Sequence, residues 1–235
     1  KIPNCESLKN AYDRVIPFYE KNICPLLIKK KNILIVAHGN SLRALCKKIF
    51  SISEEKIESH KIIDGYQWIL DPLDGSLNYS RNIPFCCISI ALWKGLEPYL
   101  GVIYDFNKDE LFAGTVSSEC ELNGVKINPS IVSEKSKAIL ATGFPTSTNF
   151  NKEVLLEFVR NIQDYKKIRL LGSAALSLAY VACGRVDFYL ENNIKIWDVA
   201  AGLALIKSAG GMVKFSPPKK DMTLRVEASN PFLLK

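Results

Sequence analysis

Apolar positions along the chain fall into two rhythms. From Glu6 onward, Leu8, Tyr12, Val15, Phe18, Tyr19 and Ile23 recur at helical spacing, with Pro17 and Pro25 placed to kink or end the helix. Ile33 to Ala37 is an unbroken apolar run of the kind found in a buried parallel strand. The polar turn His38-Gly39-Asn40-Ser41 follows, and Leu42, Leu45, Cys46 and Ile49 then mark a second helix. Such a strand–turn–helix unit aims backbone N–H groups at a point where an anion can sit. Beyond it the pattern predicts strands over Gln67–Leu70, Phe85–Leu92, Tyr99–Tyr104, Glu110–Gly114, Lys137–Thr142 and Val186–Leu190. Asn123-Gly124 marks a hairpin turn. Helical spacing appears over Val154–Ile162, from a Ser173 cap to about Cys183 with Gly184 as stop, and over Trp197–Ala209 before Gly210-Gly211. These elements predict a layered α/β protein without internal repeats.

Composition changes this picture little. The 235 residues are 48% apolar and 23% charged, ordinary for a folded soluble protein. No apolar run reaches bilayer length, so no membrane partner is expected; Phe85–Trp93 is strand-sized. The start, Lys1-Ile2-Pro3-Asn4, lacks an initiator methionine and is not a signal peptide, so the chain is expected to begin inside a longer gene product. Seven cysteines, an odd number without a C-x-x-C pair, point to a reduced, cytoplasmic protein. Of the net charge of +7, residues 1–57 carry +6. With no interleaved aromatics or zinc spacing, that excess reads as a solvated Lys-rich surface and not as a nucleic-acid site. The asymmetry itself suggests two pieces of different character.

Asp71-Pro72-Leu73-Asp74-Gly75-Ser76 is the stretch with most chemistry. A strand delivers Asp71, Pro72 forces a turn, and Asp74 returns beside it. Two carboxylates and the Leu73 carbonyl then face one point, a hard-oxygen set that suits Mg2+. A plain Asp-Pro/Asp-Gly turn fits these six residues equally well. Ser53-Glu54-Glu55 lies upstream, Gly172-Ser173-Ala174-Ala175 opens a helix, Glu191 follows, and Trp197-Asp198-Val199-Ala200-Ala201 opens another helix.

Taken together, Glu54-Glu55, Trp68 to Tyr79, Gly143-Phe144-Pro145, Gly172 to Ala175 and Trp197 to Gly202 resemble the inositol monophosphatase family in order and approximate spacing. The resemblance covers roughly residues 52–235 and implies a layered α-β-α-β-α sandwich of the inositol monophosphatase/fructose bisphosphatase type, lacking its first two helices. It implies that Glu54, Asp71, the Leu73 carbonyl, Asp74 and Asp198 bind two or three Mg2+, with Li+ as an inhibitor. Glu54 and Ser76 are then catalytic, the Ser76 hydroxyl orienting the attacking water. Gly75, Ser76, Gly172, Ser173, Ala174 and Glu191 match substrate-binding positions. Asn78-Tyr79 argues against the nucleotide-phosphate branch. The implied activity is Mg2+-dependent hydrolysis of an inositol or sugar phosphate by a homodimer, slowed if the missing helices contribute to the site.

Residues 1–57 are similar instead to the C-terminal part of cofactor-dependent phosphoglycerate mutase, through Glu6-Ser7-Leu8 and Ile33 to Arg43. That resemblance implies that His38 is an active-site histidine with Asn40 near the phosphate. The Arg-His-Gly motif of the phosphate-accepting histidine is absent, so His38 and Asn40 read as a remnant. The expectation is a chimera divided into 1–51 and 52–235. Two rival functions stand beside the phosphatase: a mutase fragment with histidine phosphotransfer, and a non-catalytic module binding anions or RNA.

Overall fold

The computed structural model describes residues 8–28, 48, 65–145 and 148–234. The chain divides into two compact units, residues 1–61 and 62–235. In the first, α1 (Leu8–Phe18) passes through a π-helical turn (Tyr19–Ile23) into α2 (Cys24–Ile28). Pro17 sits in the last turn of α1, and Pro25 opens α2, where a missing N–H costs least. The expected kink is therefore a change of helical pitch, with the Asn22 side chain donating to the Phe18 carbonyl at 3.1 Å. Lys48 pairs with Glu20 at 2.6 Å. Apart from Lys48, the predicted strand–turn–helix over residues 33–49, with His38 and Asn40, lies outside the described residues, as does Glu54.

The second unit holds two sheets. The first is an antiparallel meander: β1 (Tyr66–Asp74), β2 (Cys87–Lys94), β3 (Glu97–Asp105), β4 (Glu110–Thr115), β5 (Glu121–Leu122) and β6 (Val125–Lys126), in that order. A short helix, α3 (Ser76–Ser80), follows β1. The second sheet is mixed and combines β7 (Ile139–Thr142), β8 (Lys167–Leu170), β9 (Phe188–Lys195), β10 (Met212–Phe215) and β11 (Thr223–Ser229) in the order β10-β11-β9-β7-β8. Only β7 runs parallel to its neighbours β8 and β9. The helices α4 (Lys152–Ile162), α5 (Ala174–Ala182) and α6 (Ile196–Ser208) complete the unit.

Helix α6 packs on β1–β4 to one side, on β9–β11 to the other, and on α5. A helix sandwiched in this way must be apolar all round. Val199, Ala200, Ala201, Leu203, Leu205 and Ile206 are fully buried. The Trp93 indole N–H donates to the Ala200 carbonyl at 3.1 Å, tying β2 to the first turns of α6. On the far face of the second sheet, Ile162 of α4 packs with Leu140 and Phe188. The layers of this unit are sheet, helix pair, sheet, helix, an α/β sandwich as expected.

Several boundaries differ from those read off the sequence. Strand β1 runs on through Asp71-Pro72-Leu73-Asp74 instead of ending at Leu70. Strand β9 continues five residues past Leu190, to Lys195. Strands β8, β10 and β11 were not expected.

Candidate metal centre

Pro72 has no N–H to offer a ladder, so a strand that contains it must break its pairing there. Strand β1 does so by a bulge: Asp71 pairs with Ser89 and Asp74 with Cys87, with the register slipped by one between them. The Leu73 N–H folds back on the Asp71 carboxylate at 3.1 Å. The bulge brings two acids that are three residues apart to the same side. Gly75 then turns the chain with φ 79°, and a Cβ there would lie 2.8 Å from the Phe85 carbonyl, so only glycine fits.

Two helix starts complete the centre. Ser173 caps α5, its hydroxyl accepting from the Leu176 N–H at 3.2 Å and donating to Asp74. The Ala175 N–H donates to the same Asp74 oxygen at 2.9 Å. Asp74 thus sits at the N-terminal end of α5, where a negative charge is favoured. Asp198 stands in the first turn of α6. Oxygen atoms of Asp71, Asp74 and Asp198 all lie within 4.8 Å of one another.

The electrostatics follow from burial and crowding. Burial pushes Asp74 up to about 7, with the Ser173 bond and the Ala175 and Gly75 N–H groups pulling back. Burial, then Asp74 and Asp71 beside it, pushes Asp198 up to about 9. Burial also raises Asp71. Two full charges 4.8 Å apart repel by about 3 kcal/mol at an effective dielectric constant of about 20. Three carboxylates therefore do not stay ionised together without a cation. The donors are all hard oxygens, so the set fits Mg2+.

A cavity of ≈ 500 Å3 opens over these acids. Asp71, Leu73, Asp74, Gly75, Ser76, Gly172, Ser173, Ala174, Glu191 and Asp198 all line it, so ten of the residues singled out in the sequence meet at one place. Glu191 is buried, its carboxyl raised to about 7 by that burial, and it accepts the Tyr189 hydroxyl at 2.8 Å. The Ser173 hydroxyl, expected at substrate, is engaged with Asp74 and the Leu176 N–H.

Three positioning residues escaped the sequence reading. The Asn78 amide donates to the carbonyls of Phe85 (2.9 Å) and Leu171 (2.8 Å), stitching α3 to the start of α5. Gly172 (φ 76°) leaves room for that amide, which would lie 2.9 Å from a Cβ. Tyr189 supports Glu191 from two residues away on the same strand face, a signal that alternation along β9 offered. Cys87 lies 3.9 Å from both Asp74 and Ser173, and burial holds it as a thiol.

Comparison with known proteins bears on the same residues. The model of the "Inositol monophosphatase family" matches residues 22–230. The match thus starts thirty residues before the boundary expected at 52, and no finding supports a mutase-type segment or a chimera. A "Nus factor SuhB" of Xylella fastidiosa is 42% identical over 156 residues, 66% of this chain and 55% of that protein. This chain therefore spans little more than half of that relative. "Inositol monophosphatase 1" of Solanum lycopersicum is 37% identical over 205 residues, 79% of this chain and 75% of the tomato protein. The solved inositol monophosphatase of Anabaena (Nostoc) sp. PCC 7120 superposes with a TM-score of 0.68 at 38% identity, covering 82% of this chain and 79% of that one. None of these relatives is a phosphoglycerate mutase. Among the described residues no helix is long and apolar enough to cross a membrane. The chain belongs to the inositol monophosphatase family.

Proposed function

We propose that this chain is a Mg2+-dependent phosphatase that hydrolyses a small phosphate monoester, an inositol or sugar phosphate. The observation that supports this most is the convergence of Asp71, Asp74 and Asp198 within 4.8 Å at the floor of a cavity. These acids, with the Leu73 carbonyl, would hold the metal; Glu54, which the resemblance adds to the set, lies outside the described residues. Bound Mg2+ neutralises the phosphate dianion, stabilises charge on the entering and leaving oxygens, and acidifies the attacking water.

The chain's own groups do the rest. Asp74 is locked by Ser173 and the Ala175 N–H, so its free lone pairs keep a fixed direction. Ser76, directly after the glycine turn, orients the attacking water and touches the phosphate with Gly75. Gly172 and Ala174 border the polyol at the start of α5, and Glu191 accepts one of its hydroxyls, held for that task by Tyr189. Li+ competes at the metal site and inhibits. The working form is a cytoplasmic homodimer.

The test is a panel of inositol 1-phosphate and hexose phosphates assayed with and without Mg2+. Release of phosphate only with the metal is expected. Equal release in excess EDTA would overturn the reading.

A further inference from the structure

Beside the metal cavity lies a second, larger one of ≈ 710 Å3. Gly143, Phe144, Glu191 and Asn193 border both. Gly143 and Glu191 lie against each other where the two cavities meet: a Cβ on Gly143 would come within 2.7 Å of the Glu191 carboxylate. A polyol held against Glu191 would border this second space, because Glu191 lines both cavities. Cavities of ~300–1,000 Å3 hold ligands much larger than a single six-membered ring.

The wall is shaped by a second bulge. Glu191 pairs with Val226 and Ile194 with Leu224, so Asn192 and Asn193 together oppose Arg225 alone. Asn193 adopts φ 56°, unusual for a residue other than glycine. Bulges of this kind re-aim side chains, and they recur beside active sites. Here the Asn193 side chain accepts from Lys219 at 2.7 Å, while Asn192 donates to Glu157 at 3.4 Å.

The chemistry of the space is specific. Its apolar side is aromatic: Phe144 and Phe158 stand 4.4 Å apart, centre to centre, and both are only half-buried. Its polar side is amides, Asn161, Asn192 and Asn193, with mixed charge. Lys219 and Lys220 face Glu157, Glu191 and Asp221, so the surroundings carry no excess of positive charge. A second phosphate gains no net attraction there. A ring with hydroxyls on its edge and C–H groups on its face does gain: amides and carboxylates pair with hydroxyls, and the phenyl rings take the apolar face.

We infer that this cavity takes a second, uncharged hydroxylated ring, so that the preferred substrate is a phosphorylated disaccharide or glycosylated polyol instead of a single-ring phosphate. This rests on the phosphatase reading above. Phe158 and Asn161 are specificity residues that touch the second ring and not the reacting atoms.

The experiment measures kcat/KM on the full chain with Mg2+ for inositol 1-phosphate, trehalose 6-phosphate, fructose 1,6-bisphosphate and 2′-AMP. The disaccharide phosphate is expected to lead by roughly tenfold or more, the scale of discrimination one well-filled pocket gives. Phe158→Ala and Asn161→Ala each reduce that ratio toward one, and Phe158→Leu retains most of it. Unphosphorylated trehalose inhibits the unaltered protein competitively, which requires no variant to fold. Preference for the bisphosphate or the nucleotide, or ratios unmoved in both variants, overturns the inference. Hydrolysis of inositol 1-phosphate with no advantage for the disaccharide overturns it alone; no Mg2+-dependent hydrolysis of any ester overturns the phosphatase reading as well.

Discussion

Helix α6 carries Asp198 in its first turn, and its position is set by two contacts with no slack. A methyl group on Gly101 of β3 would lie 2.2 Å from the Ala201 carbonyl oxygen. On the opposite side, a methyl on Gly202 would lie 2.3 Å from the Leu178 Cβ of α5. Carbon–oxygen contacts settle at about 3.3–3.6 Å, so Gly101→Ala must open the strand–helix gap by more than ~1 Å. The atoms that a Gly101 methyl would meet are all Ala201 backbone, which has no rotamer to change. Overpacking costs about 1–3 kcal/mol, and this site belongs at the upper end. Replacing glycine within a strand returns ~0.5–1 kcal/mol. The net loss is about 2 kcal/mol, or ~4–8 °C in Tm for a unit of this size. The displacement also moves Asp198 away from Asp71 and Asp74, so Mg2+ affinity falls with stability. Thermal melts by circular dichroism and a calorimetric Mg2+ titration read the two effects. Gly124→Ala is the control: its φ of 78° strains alanine, but nothing lies within 4 Å of its Cβ. It should lose ~1–2 kcal/mol with unchanged metal affinity. A Gly101→Ala protein that melts and binds Mg2+ like the unaltered chain would refute the packing argument.

Three further outcomes are expected. Asn78→Ala strands the Phe85 and Leu171 carbonyls, lowering stability by about 1–3 kcal/mol in urea melts and weakening turnover through the loosened start of α5. Without metal, stability should fall as pH rises: Asp74 and Glu191 titrate at about 7 and Asp198 at about 9 in the fold, above the ordinary carboxylate range, so the folded state holds protons the unfolded state releases. That stabilisation is complete below about pH 4 and is lost between there and about pH 9; melts in EDTA across this window check it, and added Mg2+ should flatten the slope. Tyr189→Phe removes the donor to Glu191 and should raise KM for a polyol phosphate more than it lowers kcat in steady-state assays.

Much of the site was legible because its chemistry is concentrated in short motifs. Asp71, Asp74 and Asp198 could be singled out as carboxylates at element ends, and they do meet. The way they meet was not legible. Asp71 and Asp74 are brought together by a bulge inside β1 and not by a turn after it, because the sequence marks Pro72 as a break without saying that pairing resumes at Asp74. Asn78 joins segments 93 residues apart, a contact no local pattern encodes. Among the strands, β8 (Lys-Ile-Arg-Leu) is short, charged and half-exposed, so its propensity signal is weak. Strands β10 and β11 do alternate, so a period-two signal is present in their sequences. The α5–α6 pair was visible in its caps and glycine stops, since buried helices still need their ends satisfied.

The central claim, that Asp71, Asp74 and Asp198 form a divalent-cation site that drives phosphoester hydrolysis, is tested most directly by paired measurements on one preparation. Mn2+ binding is followed by electron paramagnetic resonance, and phosphate release from inositol 1-phosphate is followed in Mg2+, in the unaltered chain and in Asp74→Asn and Asp198→Asn. The account predicts that the unaltered chain binds the ion and turns over, and that each variant, still folded, loses both together. Variants that bind Mn2+ as before, or that release phosphate at the unaltered rate, would contradict it.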